Sequence, residues 1–194
     1  MRNPYKEFTY KNIKEFSKEK SNSIIQKAIS TFIKEDLIEK NKVGNIILYK
    51  VNFINNTVFS YFNILIKENL PDPVKRTIKT IKDELDTKFL SIAIFGSYAE
   101  RKQTKNSDLD IAVFVPSEED KQICDLSLKS AKIKTLLNID YHVFTKKDMF
   151  QMLKDKHENL GKQIAYKHLV VHNPSIFYSI IQEGIDNGFK IIYT

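Results

Sequence analysis

Residues 94–115 of the chain read IFGSYAERKQTKNSDLDIAVFV and predict the central part of an α/β fold. An apolar, buried strand runs into Gly96-Ser97, where the chain turns into a short polar helix. A second apolar strand opens with Asp108-Leu109-Asp110. Because side chains alternate along a strand, we expect Asp108 and Asp110 on one face and Leu109 on the other.

The paired aspartates and the glycine turn predict a site for a cation and a phosphate group. Two carboxylates that project together repel each other unless a cation lies between them, and oxygen-only ligands suit Mg²⁺ or Mn²⁺. At Gly96-Ser97, free backbone N–H groups come close to the same point, and glycine lets a phosphate approach the helix start. The alternative is that two surface aspartates simply follow a Gly-Ser turn.

Ten residues separate Ser97 from Asp108, and this spacing resembles the signature of the polymerase-β-type nucleotidyltransferase superfamily. The stretch 71–194 is similar to its small prokaryotic branch, the minimal nucleotidyltransferases. The resemblance implies a small mixed sheet on which Asp108 and Asp110 hold metal ions. It also implies that Gly96 and Ser97 bind the nucleotide.

The same family uses a third carboxylate on a later strand, and Asp140 is the candidate here. We expect it in the middle of a buried strand, residues 137–144, where an acidic side chain needs a partner such as a metal cluster. The resemblance thus implies Asp108, Asp110 and Asp140 as catalytic residues and as ligands of Mg²⁺ or Mn²⁺. In the family, the third carboxylate helps to deprotonate the attacking hydroxyl.

Arg101, Lys102 and His142 are further candidates near this site. Relatives often carry a glycine at the position of Arg101. Arg101 and Lys102 either contact the triphosphate, as nucleotide-binding residues, or lie on a solvated helix face. His142 shares a strand face with Asp140 by alternation, and a structural histidine is favoured over a substrate contact.

The positive charge of the chain is concentrated near its start. The 194 residues include 31 Lys+Arg and 24 Asp+Glu, a formal net charge of +7. Residues 1–52 hold 11 basic and 6 acidic residues, a net charge of +5. This asymmetry predicts a separate N-terminal module that faces a polyanion.

Residues 7–52 show the order helix, turn, helix and hairpin, with a polar hairpin turn at residues 40–45. This order resembles the winged helix-turn-helix domains of prokaryotic regulators, although the helix that usually precedes the pair is short, missing or supplied from elsewhere. In such domains the second helix and the wing contact DNA. The expected DNA-binding residues are Asn22, Ser23, Gln26, Lys27, Ser30, Lys40, Lys42 and Asn45. The alternative is a surface for protein contacts and dimerisation.

Three segments are predicted: a winged helix-turn-helix at 1–52, a linker helix at 53–70 and a nucleotidyltransferase domain at 71–194. The run Leu70-Pro71-Asp72-Pro73 marks the last boundary. Within the third segment we expect a helix at 125–136. One helix beginning at residue 148 and an edge strand at 169–171 are expected near the end.

Some classes of protein are disfavoured by composition. No apolar run reaches the roughly 18 residues that a membrane span needs, and the first residues do not resemble a signal peptide. A single cysteine, Cys124, excludes an intramolecular disulfide. We therefore expect a cytoplasmic protein without a membrane partner.

These patterns predict a Mg²⁺-dependent nucleotidyltransferase that transfers a nucleotide, with AMP from ATP favoured, to a hydroxyl of a protein or other acceptor. Nucleoside triphosphate and double-stranded DNA are the expected partners. The resemblance also admits an antitoxin-like role with a HEPN-type partner protein, and a homodimer. The alternatives are a DNA-binding transcriptional regulator whose nucleotidyltransferase domain only senses nucleotide, and a protein-interaction adaptor.

Overall fold

A computed structural model of the protein describes residues 4–85 and 89–191. The described chain divides into two compact units, residues 4–61 and residues 62–191 without 86–88. The division falls within helix α3 (Thr57–Asn69). No helix in the described residues is both long enough and apolar enough to cross a membrane.

The unit formed by residues 4–61 contains helices and a hairpin in the predicted order. The side chain of Ser21 caps the second helix by accepting a hydrogen bond from the N–H of Ile24. Ile25 and Ile29 lie one helical turn apart and are buried. Before α3, the elements are α1 (Tyr10–Ser17), α2 (Asn22–Lys34), β1 (Ile38–Val43) and β2 (Ile46–Val51).

The hairpin turn is shorter than predicted. It consists of Gly44 and Asn45, with Gly44 at φ +60°, instead of spanning residues 40–45. Lys40 and Lys42 therefore lie in β1. Because a solvent-exposed strand accommodates charged residues, the sequence of β1 resembles that of a polar turn.

No helix precedes α1 within residues 4–9. The backbone of Phe8 instead pairs with Tyr49 of β2, and the two N–H···O distances are both 2.9 Å. The segment before α1 therefore adds a one-residue bridge to the hairpin.

Residues 62–191 form a four-stranded mixed sheet with the strand order β5-β4-β3-β6, as the resemblance implied. β4 and β5 are parallel, and β3 is antiparallel to β4 and β6. The strands are β3 (Ser91–Ile94), β4 (Leu109–Val115), β5 (Ile139–Thr145) and β6 (Leu169–His172). The remaining helices are α4 (Asp72–Glu84), α5 (Gly96–Glu100), α6 (Glu118–Lys134), α7 (Lys146–Lys154), α8 (Leu160–Tyr166) and α9 (Pro174–Asp186).

The core of this unit lies where helices α4 and α6 cover the central strands. All four residues of β3 are buried. α4 contributes Val74, Ile78 and Ile81 at helical spacing, and α6 contributes Cys124 and Leu128. This packing holds the ends of β3 and β4 rigidly in place.

The helices after β4 differ from the sequence expectation. α6 begins at Glu118 rather than at residue 125, because the Ser117 side chain accepts a hydrogen bond from the N–H of Asp120 and starts the helix earlier. The single helix expected from residue 148 is two helices, and Asn159 caps the second. The predicted edge strand at 169–171 is present as β6.

Candidate active site

The three predicted carboxylates gather at one end of the mixed sheet. Asp110 in β4 and Asp140 in β5 are direct partners in the parallel register, so their side chains project from the same face. Asp108 lies just before β4, two residues from Asp110. The antiparallel strand β3 ends beside them, and the N–H of Phe95 donates to the carbonyl oxygen of Asp110 at 3.1 Å.

Gly96 is the point at which the backbone comes closest to this carboxylate cluster. Its φ is +61°, in the left-handed region that favours glycine. A Cβ at this position would overlap Oδ2 of Asp110 and lie 2.8 Å from Asp110 Cγ. The backbone N–H of the next residue, Ser97, donates a hydrogen bond to the Asp110 carboxylate. The Gly-Ser turn and the Asp-x-Asp segment therefore form one site.

The electrostatics of the cluster favour a bound cation. Burial raises the pKa of the Asp110 carboxyl, and the negative charges of Asp140 and Asp108 raise the pKa further. The hydrogen bond from the Ser97 N–H acts in the opposite direction. A divalent cation between the carboxylates would offset their mutual repulsion.

Oxygen ligands of this kind fit Mg²⁺ or Mn²⁺ by their chemistry. Within residues 4–85 and 89–191, no group of three or more His, Cys, Asp or Glu side chains is close enough together to hold a metal ion. Asp108, Asp110 and Asp140 share one end of the sheet, but their carboxylates are not drawn into a coordination shell. Their role as metal ligands stays a prediction.

Asp140 is more exposed than the sequence suggested. Its side chain is 60% accessible, and it is the second residue of β5. The expectation of a buried, mid-strand aspartate was wrong because Asp140 lies near the start of β5, on the face opposite to the buried Ile139. Asp140 therefore needs no buried partner, and it faces the solvent from which a substrate would approach.

His142 lies on the same face as Asp140, as alternation predicted. Its Nε2 is 3.9 Å from Oδ2 of Asp140. The imidazole stacks on Phe144 at a centroid distance of 6.0 Å and lies 6.2 Å from the ring of Phe95. These aromatic contacts hold the imidazole next to the carboxylate cluster.

Arg101 and Lys102 have different environments. Arg101 ends α5 at φ +59°, a left-handed conformation that explains why glycine suits this position. Lys102 forms an ion pair with Glu100 at 2.7 Å. Lys167 binds the other carboxylate oxygen of Glu100 at 3.2 Å. Sequence reasoning missed Lys167, since no local signal connects it to a residue 67 positions earlier.

The predicted DNA-binding residues all lie on the surface of the unit formed by residues 4–61. Asn22 is engaged within this unit, where its side chain accepts a hydrogen bond from Lys14 Nζ at 2.7 Å. Ser23 is hydrogen-bonded to Ser21 at 3.0 Å. All eight predicted residues are exposed: Asn22, Ser23, Gln26, Lys27, Ser30, Lys40, Lys42 and Asn45.

Part of the chain is similar to known proteins. The family described as Polymerase beta, Nucleotidyltransferase matches residues 76–167. A solved structure described as "Crystal structure of the toxin-antitoxin with AMP-PNP" matches at 20% identity, covering 60% of this chain and 86% of that chain, with a TM-score of 0.38. No curated protein matches the chain by sequence.

Residues 76–167 therefore resemble a nucleotidyltransferase domain. They include Gly96, Ser97 and all three carboxylates, so the resemblance seen in the sequence is confirmed for this part of the chain. The four-stranded mixed sheet is consistent with a small domain of this type.

Proposed function

We propose that the protein transfers a nucleotide, AMP from ATP in the first instance, to a hydroxyl group of an acceptor. The observation that carries the proposal is the pairing of Asp110 with Asp140 on adjacent parallel strands, beside the Gly96 turn. This arrangement lies within the segment that matches the nucleotidyltransferase family.

The carboxylates and the Gly-Ser turn have complementary roles in this reaction. Asp108, Asp110 and Asp140 would hold Mg²⁺ or Mn²⁺, which when bound offsets negative charge on the phosphate oxygens. Gly96 leaves room for the Asp110 carboxylate, and the N–H of Ser97 holds that carboxylate in place.

Residues of this chain are also assigned to the proton that the acceptor hydroxyl loses and to the negative charge of the triphosphate. The acceptor oxygen forms a bond to the α-phosphorus, the bond to the β-phosphate oxygen breaks, and pyrophosphate leaves. We assign to Asp140 the acceptance of the hydroxyl proton, and the support is its exposed carboxylate next to Asp110. Arg101 makes no ion pair within the described residues and is the cation we assign to the triphosphate, whereas Lys102 is engaged by Glu100.

Nucleotide transfer can be tested with ATP labelled on the α-phosphate, Mg²⁺ and cell extract. The wild-type protein should label an acceptor, and Asp110→Asn should lower the rate by about 100-fold or more. Glu119→Gln is the matched control, because it neutralises an exposed carboxylate of the same unit on α6. With ATP labelled on the γ-phosphate, wild type and Asp110→Asn should give the same background of kinase labelling, since in nucleotide transfer that phosphate leaves as pyrophosphate.

One result would contradict nucleotide transfer. If neither wild type nor Asp110→Asn labels any acceptor while both bind ATP, the domain senses nucleotide without turnover. Parallel reactions with labelled CTP, GTP and UTP identify the base, so a preference for another nucleotide would correct the choice of ATP.

We also propose that the unit formed by residues 4–61 binds double-stranded DNA. Support comes from the exposure of Lys27 on α2 and Lys42 on β1, and from the positive charge of the first residues. For Lys27→Gln/Lys42→Gln, the slope of log K against log salt should become shallower by about 0.9 per lost phosphate contact. Lys11→Gln/Lys34→Gln removes the same charge from other exposed positions and should change the slope less. Salt-insensitive binding would instead favour a protein-interaction module.

A further inference from the structure

A groove in the unit formed by residues 62–191 lies away from the carboxylate site. It has a volume of about 570 Å³ and is walled by the end of α3, by α4 and by the end of β6. His172 of β6 pairs with Ile92, whereas Leu169 pairs with Ile94, the β3 residue nearest Gly96. Because β6 enters the groove only with its last residues, the groove lies at the opposite end of the sheet from Gly96.

The walls of this groove are strongly basic. Four lysines line it against a single acidic residue, Asp83. Lys75 is held by Asp72 at 3.3 Å. The other lining lysines, Lys67, Lys79 and Lys82, are exposed and form no ion pair with the described residues. Like charges gathered in a concave surface favour an anionic ligand.

The lysines of α4 are regularly spaced along the groove. Lys75, Lys79 and Lys82 are at positions i, i+4 and i+7 of one helix, so their Cα atoms rise by about 6 Å and then by about 4.5 Å along the axis. Side chains on one face of an extended peptide repeat at about 6.6 Å. Carboxylates at alternate positions of an extended peptide can therefore meet successive lysines.

The floor of the groove is aliphatic. Ile66, Leu70, Ile78 and Val171 form it, and no residue that lines the groove has a phenyl, phenol or indole ring. Proteins that hold single-stranded nucleic acid stack its bases on aromatic side chains. Aliphatic side chains of a peptide suit this floor better than nucleic-acid bases.

The last strand of the sheet, β6, lines the groove with its final two residues, Val171 and His172. The groove therefore combines the end of a strand, an apolar floor and a cationic wall.

We propose that this groove binds an extended, acidic segment of a partner protein in which Asp or Glu alternates with aliphatic residues. Lys67 and Lys79 pair with its carboxylates from two different helices, and the aliphatic residues rest on Ile66 and Ile78. A second copy of this chain is not the occupant we favour, because its acidic run Glu118-Glu119-Asp120 lies within helix α6.

Fluorescence anisotropy of the full chain with a short labelled peptide, in which Glu alternates with Val, tests the proposal. The same peptide with Gln in place of Glu should bind much more weakly. Lys67→Glu/Lys79→Glu should weaken binding of the Glu peptide by about tenfold or more, because two attractive charge pairs become repulsive. Lys67→Gln/Lys79→Gln should give an intermediate loss.

Lys147→Glu/Lys156→Glu is the matched control, since it reverses two exposed lysines of the same unit outside the groove. It should retain wild-type affinity for the peptide. Asp110→Asn should also bind the peptide normally, so the outcome is independent of nucleotide transfer.

Three results would overturn the proposal. One is equal affinity for the Glu and Gln peptides, and another is an equal loss in the control variant. The third is tighter binding of a labelled oligouridine that is weakened by the same lysine reversals, which would make the groove a nucleic-acid site.

Discussion

Replacing Gly96 by alanine separates backbone strain from displacement of the Asp110 carboxylate. Gly96 has φ +61°, and Gly44 in the hairpin turn has φ +60°. An alanine in this left-handed region costs about 1–2 kcal/mol at either position. The two substitutions therefore carry the same conformational penalty and differ only in what the new methyl group meets.

The surroundings of the two glycines are very different. No atom lies within 4 Å of a Cβ at Gly44. A Cβ at Gly96 would overlap Asp110 Oδ2 and lie 2.8 Å from Asp110 Cγ, so the carboxylate must move. A displacement of about 1 Å at a reacting site costs about 100-fold in rate. We expect Gly96→Ala to lower the nucleotide transfer rate by about 100-fold and Gly44→Ala to leave it unchanged.

The assay combines chemical denaturation with transfer from α-labelled ATP at saturating nucleotide. Gly44→Ala should lose about 1–2 kcal/mol in the free energy of unfolding of its unit, and Gly96→Ala should lose at least as much from its own unit because the Asp110 carboxylate must also move. The reasoning would be refuted if Gly96→Ala transferred nucleotide at the wild-type rate, or if Gly44→Ala lost as much activity.

Three further predictions concern stability and nucleotide binding. Burial lowers the pKa of His168 from 6.5 to about 4 in the folded state. The unfolded chain therefore takes up a proton first, and stability should fall by about 2 kcal/mol from about pH 7.5 to about pH 5. Urea denaturation across this range should show the loss in wild type and a flatter profile in His168→Phe; equal profiles would contradict it. Arg101→Gly should raise the free energy of unfolding by about 1 kcal/mol, because it relieves the left-handed conformation. The same change should weaken ATP binding by about fivefold in calorimetry, and unchanged affinity would exclude a triphosphate contact. Lys162 is 7% exposed, and its Nζ donates to the carbonyl oxygens of Asp155 and His157. Lys162→Met should lower the free energy of unfolding by about 1–2 kcal/mol, and thermal melts matching wild type would show that these bonds add nothing.

Residues that are close in sequence could be placed from the sequence with little information about the rest of the chain. Asp108 and Asp110 share a face because strand geometry alternates side chains over two residues. Gly96 is needed at a turn because the backbone there takes a positive φ. These constraints are local, so they hold in any fold that contains the two strands.

The position of Asp140 could be predicted only in part from the local sequence. The sequence suggested a carboxylate on a later strand, and the parallel register places it directly beside Asp110. Residues 137–144 alternate apolar and polar side chains, which predicts a strand with one buried face. The alternation does not show which strand this one pairs with or in which register, so the contact with Asp110 required the tertiary structure.

Contacts between distant segments required the tertiary structure. Lys167 reaches Glu100 only because β6 returns alongside β3, and the groove lysines come together only because α3 and α4 meet the end of β6. The spacing of Gly96, Asp108 and Asp110 along the chain predicts their local geometry. The order and direction of the strands, which depend on burial of the whole core, bring Asp140 to Asp110 and Lys167 to Glu100.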